Sequence, residues 1–279
     1  MNYLFMNLKR FDVPLEHGGI NPNKSMDEWC TDIITELCRM LEPLSKETNE
    51  FGIFVPELHI LNAVKVTNEV LKIGAQSVSE LDVNVNGNFG ALTSHRSAKA
   101  MKHAGCTYTL VGHTEERMSI CNILETAGID DKIAVNTILN KRVIAAQQAG
   151  LKVIYCIGEK AEEQANWQDI LSIQLEVALQ NIELQNVVIA YEPVWAIGPG
   201  KIPPERDYIE MVGAFIKGKM NNIPVIYGGG LKLNNTEMVA SCENIDGGLI
   251  ALTRFDGNIG FYPDEAKEII SLYLKGETI

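Results

Sequence analysis

Short apolar runs alternate with longer amphipathic stretches along the chain, a pattern that predicts an α/β fold built from βα units around a parallel sheet. Eight units can be counted, with strands near Tyr3 to Met6, Gly52 to Val55, Ile73 to Val78, Tyr108 to Gly112, Lys152 to Ile157, Val187 to Tyr191, Val225 to Tyr227 and Gly248 to Leu252. Helices lie between them. From Met26 to Leu41, for example, Trp29, Ile33, Leu37 and Met40 or Leu41 recur at helical spacing, and Asp131 to Ala149 reads the same way. The exception is Ser79 to Thr93, where Asn84, Asn86, Gly87, Asn88 and Gly90 predict a long, turn-rich loop.

No composition shift, linker or charge block divides the 279 residues, a length that α/β barrels routinely use as one domain, so residues 1–279 are expected to form one. At 46% hydrophobic and 22% charged the chain reads as an ordinary globule, with no stretch approaching the roughly 18 apolar residues of a membrane span. Met1 leads straight into the first strand without a basic, cleavable leader, and a cytoplasmic location is expected. A net charge of -12 disfavours nucleic acid or an anionic membrane as partner. A small phosphorylated ligand is still compatible, since N–H groups and one lysine suffice to hold it. The six cysteines show neither a C-x-x-C pair nor zinc-like spacing, so free thiols and no metal site are expected.

The run Tyr191-Glu192-Pro193-Val194-Trp195-Ala196-Ile197-Gly198-Pro199-Gly200-Lys201 puts a carboxylate at the C-terminal end of a short β-branched strand, where barrel enzymes keep their chemistry. Pro193 stiffens the start of a lid that extends to Lys201. Ala196, Gly198 and Gly200 leave its backbone free to move and to approach an anion, and Trp195 anchors it. His113 follows the strand Tyr108 to Gly112 and opens a helix at Thr114-Glu115-Glu116-Arg117, where the positive helix terminus favours a neutral imidazole. Asn7 and Lys9 share a strand face by the period-two rule, and the glycines 228–230 expose N–H groups suited to an anion.

Together with Asn7-Leu8-Lys9, Gly74-Ala75-Gln76, Gly112-His113-Thr114-Glu115, Cys156-Ile157-Gly158-Glu159 and Tyr227-Gly228-Gly229, the lid closely resembles the triosephosphate isomerase family across nearly the whole chain. The resemblance implies a (β/α)8 barrel that interconverts an aldose phosphate and a ketose phosphate without a cofactor. Glu192 would be the base, His113 the neutral electrophile, Lys9 and Asn7 the groups facing charge on the substrate oxygens, and Glu115 a second acid beside them. Cys156 and Glu159 would be supporting structure. Phosphate would rest on Gly198, Gly229 and Gly230. It also implies a homodimer in which the loop Ser79 to Thr93 packs on the partner's site.

The resemblance breaks at Leu8, where the family has tryptophan, at Gly230, where serine is usual, and in the eighth unit, where Ala251-Leu252 replace two phosphate-binding glycines. Arg254 would then be a new phosphate partner, or the substrate differs. Ile202-Pro203 and Asp207-Tyr208 resemble the branch of the family that isomerises a four-carbon erythrulose phosphate. A third reading is a non-catalytic barrel that binds a phosphorylated metabolite.

Overall fold

The computed structural model describes residues 1–22, 25–44, 47–129, 131–198 and 201–274. Strands β1 (Asn2–Asn7), β2 (Asn49–Val55), β3 (Leu71–Ala75), β4 (Tyr108–Val111), β5 (Lys152–Ile157), β6 (Val187–Tyr191), β7 (Val225–Tyr227) and β8 (Gly247–Ile250) close into a barrel in sequence order. Every pairing is parallel, including β8 to β1. The helices are α1 (Met26–Leu41), α2 (Ile60–Val66), α3 (Ala98–His103), α4 (Thr114–Thr126), α5 (Lys132–Gln148), α6 (Trp167–Ala178), α7 (Arg206–Lys219), α8 (Thr236–Ala240) and α9 (Pro263–Tyr273). The predicted (β/α)8 architecture is therefore present.

Alternation along the strands sorts the apolar residues into two cores. Phe5, Phe54, Tyr108, Leu110, Ile154, Cys156, Val188, Ala190, Ile226 and Leu249 fill the barrel interior. The opposite faces of the strands meet the helices in a larger outer cluster. Aromatic bulk inside the barrel is matched by small neighbours: the Phe5 and Tyr108 rings meet edge-on at 5.1 Å, and a Cβ on Gly74 would lie 2.4 Å from the Phe54 ring. The same two-residue step that turns Phe5 and Ala190 inward carries on to Asn7 and Glu192, which brings both to the C-terminal mouth.

Three strands end earlier than the sequence expectation. The third strand runs Leu71–Ala75 instead of continuing to Val78, because the side chains of Gln76 and Ser77 leave the sheet for Asn7 and Glu116. The fourth stops at Val111, where Gly112 turns the chain at φ +82°. The eighth stops at Ile250, so Ala251 and Leu252 lie in the loop beyond it. The segment expected as a turn-rich loop is irregular but ordered by its own bonds. Its base is closed by Ser79 N–H to the Arg96 carbonyl at 2.9 Å, and Asn88 donates to the Asp82 carbonyl at 2.9 Å. At its surface Val85 and Phe89 are 94% and 89% exposed.

Candidate active site at the C-terminal mouth of the barrel

Glu192 continues the β6 ladder, its N–H donating to the Ile157 carbonyl at 2.7 Å. Two glycines make room for it. A Cβ on Gly158 would lie 1.8 Å from the Glu192 carbonyl oxygen, and one on Gly228 would lie 2.8 Å from Glu192 Cγ. Gly158→Ala must therefore push the β6 end aside, and urea unfolding is expected to show a loss of about 1–3 kcal/mol together with reduced turnover. Wild-type stability and rate in that variant would show that the β6 end yields freely.

The Glu192 side chain is 2% exposed. Its Oε2 accepts a hydrogen bond from Thr114 N–H at 2.9 Å, the first turn of α4, while Oε1 has no hydrogen-bond partner among the described residues. His113 Nε2 stands 3.4 Å from that Oε1 without the alignment of a hydrogen bond. Directly beneath, burial, and then the Glu192 carboxylate, push the Cys156 thiol well above its ordinary value, so Cys156 stays a neutral floor to the site.

His113 is the N-cap of α4. Its Nδ1 accepts from Glu115 N–H at 3.3 Å. An accepting Nδ1 carries no proton, so the ring is the neutral tautomer with its hydrogen on Nε2, the nitrogen that faces Glu192. Arg117 holds the turn from below: its Nε donates to the Gly112 carbonyl at 2.8 Å, and its Nη2 to the Tyr155 hydroxyl at 2.7 Å and the Cys156 carbonyl at 3.0 Å. Glu116 holds the same turn from the other side, accepting from Gly112 N–H at 2.6 Å and pairing with Arg142.

On β1, Asn7 Oδ1 accepts from Lys9 N–H at 3.0 Å and from Gln76 Nε2 at 3.2 Å. Both neighbours are donors, which assigns the oxygen and identifies the other terminal atom of Asn7 as the donor nitrogen. Lys9 sits at φ +41°, a left-handed conformation that costs a non-glycine residue about 1–2 kcal/mol. The bond from Gln76 to the Lys9 carbonyl, 2.8 Å long, helps to hold it there. The Lys9 ammonium meets Glu115 Oε1 at 2.7 Å. Burial pushes the Glu115 carboxyl up, but the hydrogen bond and charge of Lys9 outweigh it and hold Glu115 below its ordinary value.

The segment expected as a lid begins with a 3-10 turn at Val194–Ala196, and Val194 N–H donates to the Glu159 carbonyl at 3.2 Å. One buried oxygen, Glu159 Oε1, accepts from Trp195 Nε1 at 2.7 Å, Tyr191 Oη at 2.9 Å and Tyr208 Oη at 3.1 Å. Burial, and then Glu159, push the Tyr208 phenol up to about 12 and that of Tyr191 further still, so both remain donors at any working pH. Ile197 and Gly198 follow, with Gly198 at φ +121°, and Lys201 N–H donates to the Gly198 carbonyl. Pro199 and Gly200, also expected in the lid, lie outside the described residues.

Asn7, Lys9, His113, Glu115 and Glu192 are thus brought together from the ends of β1, β4 and β6. Gly229 and Gly230 lie in the loop after β7, whose Gly228 N–H donates to the Tyr191 carbonyl at 2.6 Å. Arg254 is committed elsewhere: its Nε donates to Glu265 Oε1 at 2.8 Å, and its guanidinium lies 3.8 Å above the Tyr262 ring. The sequence alone assigns no role to Gln76, Glu116 or Arg117, or to the Thr114 N–H. Gln76 and Arg117 stand inside or beside the motifs named above, so a signal for them exists, but Gln76 reaches Asn7 across 69 residues of chain and Arg117 reaches Tyr155 and Cys156 across 38 and 39.

A family model described as triosephosphate isomerase matches residues 22–258. A Francisella tularensis protein named triosephosphate isomerase is 30% identical over 231 residues, covering 78% of this chain and 84% of the relative. One of the same name from Dehalococcoides mccartyi is 30% identical over 248 residues, covering 84% and 88%. A crystal structure of triosephosphate isomerase from Bartonella henselae superposes with a TM-score of 0.74 over 98% of this chain and 99% of that one, at 24% identity, which bears on the fold. With the barrel closed in sequence order and the family model spanning most of its length, the chain belongs to the triosephosphate isomerase family.

Proposed function

We propose that this barrel interconverts dihydroxyacetone phosphate and glyceraldehyde 3-phosphate through an enediolate. The observation that carries the reading is the pairing of a buried carboxylate oxygen lacking a hydrogen bond with an Nε2–H 3.4 Å away, beside a lysine. Isomerisation removes a proton from the carbon next to a carbonyl and returns it to the neighbouring carbon. Glu192 takes the proton and the electron pair moves onto the carbonyl oxygen. His113 Nε2 gives that oxygen its proton and takes the hydroxyl proton from the neighbouring oxygen, so that Glu192 can return its proton to the former carbonyl carbon. The Nε2–H of His113, the Asn7 amide and the Lys9 ammonium face that oxygen as its charge grows. Glu115, held ionised, keeps the Lys9 ammonium in place. Pro193 to Lys201 is the lid that excludes water, and the N–H groups of Gly198, Gly229 and Gly230 receive the phosphate. Arg254 joins it only by releasing Glu265. The shared name of the relatives supports the three-carbon substrate over the four-carbon and non-catalytic readings. Purified protein in coupled assays with three- and four-carbon sugar phosphates tests this, and failure on the three-carbon pair would reject it.

A homodimer belongs to the same proposal. A cavity of about 310 Å³ opens beside Asn7, Lys9, Gln76 and His113, and the loop from Ser79 to Thr93 displays Val85 and Phe89 to solvent on an ordered frame. A second copy's loop would occupy that cavity, with Thr93 of the loop beside the partner's Asn7. Sedimentation at micromolar concentration is expected to give twice the mass of one chain. Phe89→Asp should shift it toward monomer and lower specific activity, whereas a monomeric wild type of full activity would remove the dimer from the mechanism.

Residues 1–279 are proposed to act as one catalytic domain in the cytoplasm. All six cysteines are free, which suits a reducing compartment, and among the described residues no helix is long and apolar enough to cross a membrane.

A further inference from the structure

The eighth unit offers the phosphate little bare backbone, because Ala251 and Leu252 carry side chains there, and Arg254 is held by Glu265. A compensating charge stands one loop away. Lys232 follows the glycine run after β7, and its Nζ lies 4.2 Å above the ring of Phe255, in the loop after β8. Its stem passes Gly230, whose Cβ position is 3.6 Å from Lys232 Cε. The chain around it is anchored: Lys232 N–H donates to Asn235 Oδ1 at 2.8 Å, Asn235 Nδ2 donates to the Gly230 carbonyl at 3.0 Å, and Leu231 N–H joins the loop to the Leu249 carbonyl. The ammonium is therefore carried on a fixed base and spans the two loops assigned to the phosphate.

Lys232 is half-buried, yet among the described residues no carboxylate lies within 4.0 Å of its Nζ. In a chain of net charge -12 a partly desolvated lysine without an acid is an unusual placement. Burial alone pulls it below its ordinary value, a cost that an arriving dianion would relieve. By contrast, Lys9 is already engaged with Glu115, and Arg254 with Glu265. Gly230 contributes as well: at φ +87° it takes the left-handed backbone that turns the chain toward Lys232.

We infer that Lys232 is a phosphate-binding residue of this enzyme, supplying from the loop after β7 a positive charge beside the eighth unit, where Ala251 and Leu252 carry side chains. The inference rests on the isomerase reading above. The substrate's phosphate is remote from the reacting carbons, so the interaction is made in ground state and transition state alike. Lys232→Met, which keeps the stem and its packing on Phe255, is expected to raise KM for glyceraldehyde 3-phosphate about ten- to a hundredfold with kcat changed only a few-fold. Competitive inhibition by inorganic phosphate should weaken in parallel, and Lys232→Arg should restore much of both. If wild type turns over triose phosphate while Lys232→Met keeps its KM and its sensitivity to inorganic phosphate, the assignment is overturned. A wild type without isomerase activity rejects the underlying function instead, and inorganic phosphate protection against thermal unfolding, compared between wild type and Lys232→Met, then tests Lys232 alone: equal protection overturns it.

Discussion

Glu192→Gln is expected to fold as well as the native chain, and to turn over substrate about 10²- to 10⁴-fold more slowly. The amide has the carboxylate's shape and can still accept from Thr114 N–H, so the 2.9 Å bond that aims the side chain survives. It cannot take a proton from carbon. The stability arm of the experiment follows from burial. Glu192 places a side chain that is 2% exposed, with one oxygen lacking a hydrogen bond, in the barrel mouth, and burying such a group is unfavourable. Replacing it by a neutral amide should leave Tm unchanged or raise it. A loss of rate with Tm held or raised identifies Glu192 as a group kept for chemistry at the expense of stability. A variant as fast as wild type would falsify the proposed base.

His113→Asn should separate the two jobs of the imidazole. The Nδ1 side caps α4 through Glu115 N–H at 3.3 Å, and asparagine is among the best N-cap residues, so thermal stability should be retained. The Nε2 side has no counterpart in the shorter amide, and losing one donor to a developing oxyanion lowers kcat about 10²- to 10³-fold. His113→Ala should show the same kinetic defect plus a loss of about 1 kcal/mol of stability from the missing cap. If His113→Asn keeps full turnover, the imidazole serves the helix and not the reaction.

The barrel is legible in the sequence because its signal is local. Strands such as Val187–Tyr191 and Lys152–Ile157 are set by apolar runs, and both coincide with the expected segments. The third strand ends earlier than its apolar run suggests because nothing local marks Gln76 as leaving the sheet; its targets, Asn7 and the Lys9 carbonyl, are 69 and 67 residues away. The site divides in the same way. Glu192 and His113 stand at strand ends and can be named from the string around them, whereas the unshared ammonium of Lys232 follows from the approach of two loops. Arg254 illustrates the limit from the other side, since its partner Glu265 enters only when the chain after β8 turns back on itself through the Arg254–Gly260 bridge.

Glu159 is fully buried, and its second oxygen lacks a hydrogen bond among the described residues, so the shared oxygen carries its solvation. Three donors on that atom make a redundant fastening. Without the indole of Trp195, the phenols of Tyr191 and Tyr208 would still donate to that oxygen, so the buried carboxyl would not be left bare. Releasing the indole would thus break one bond in three and leave the other two on the barrel wall.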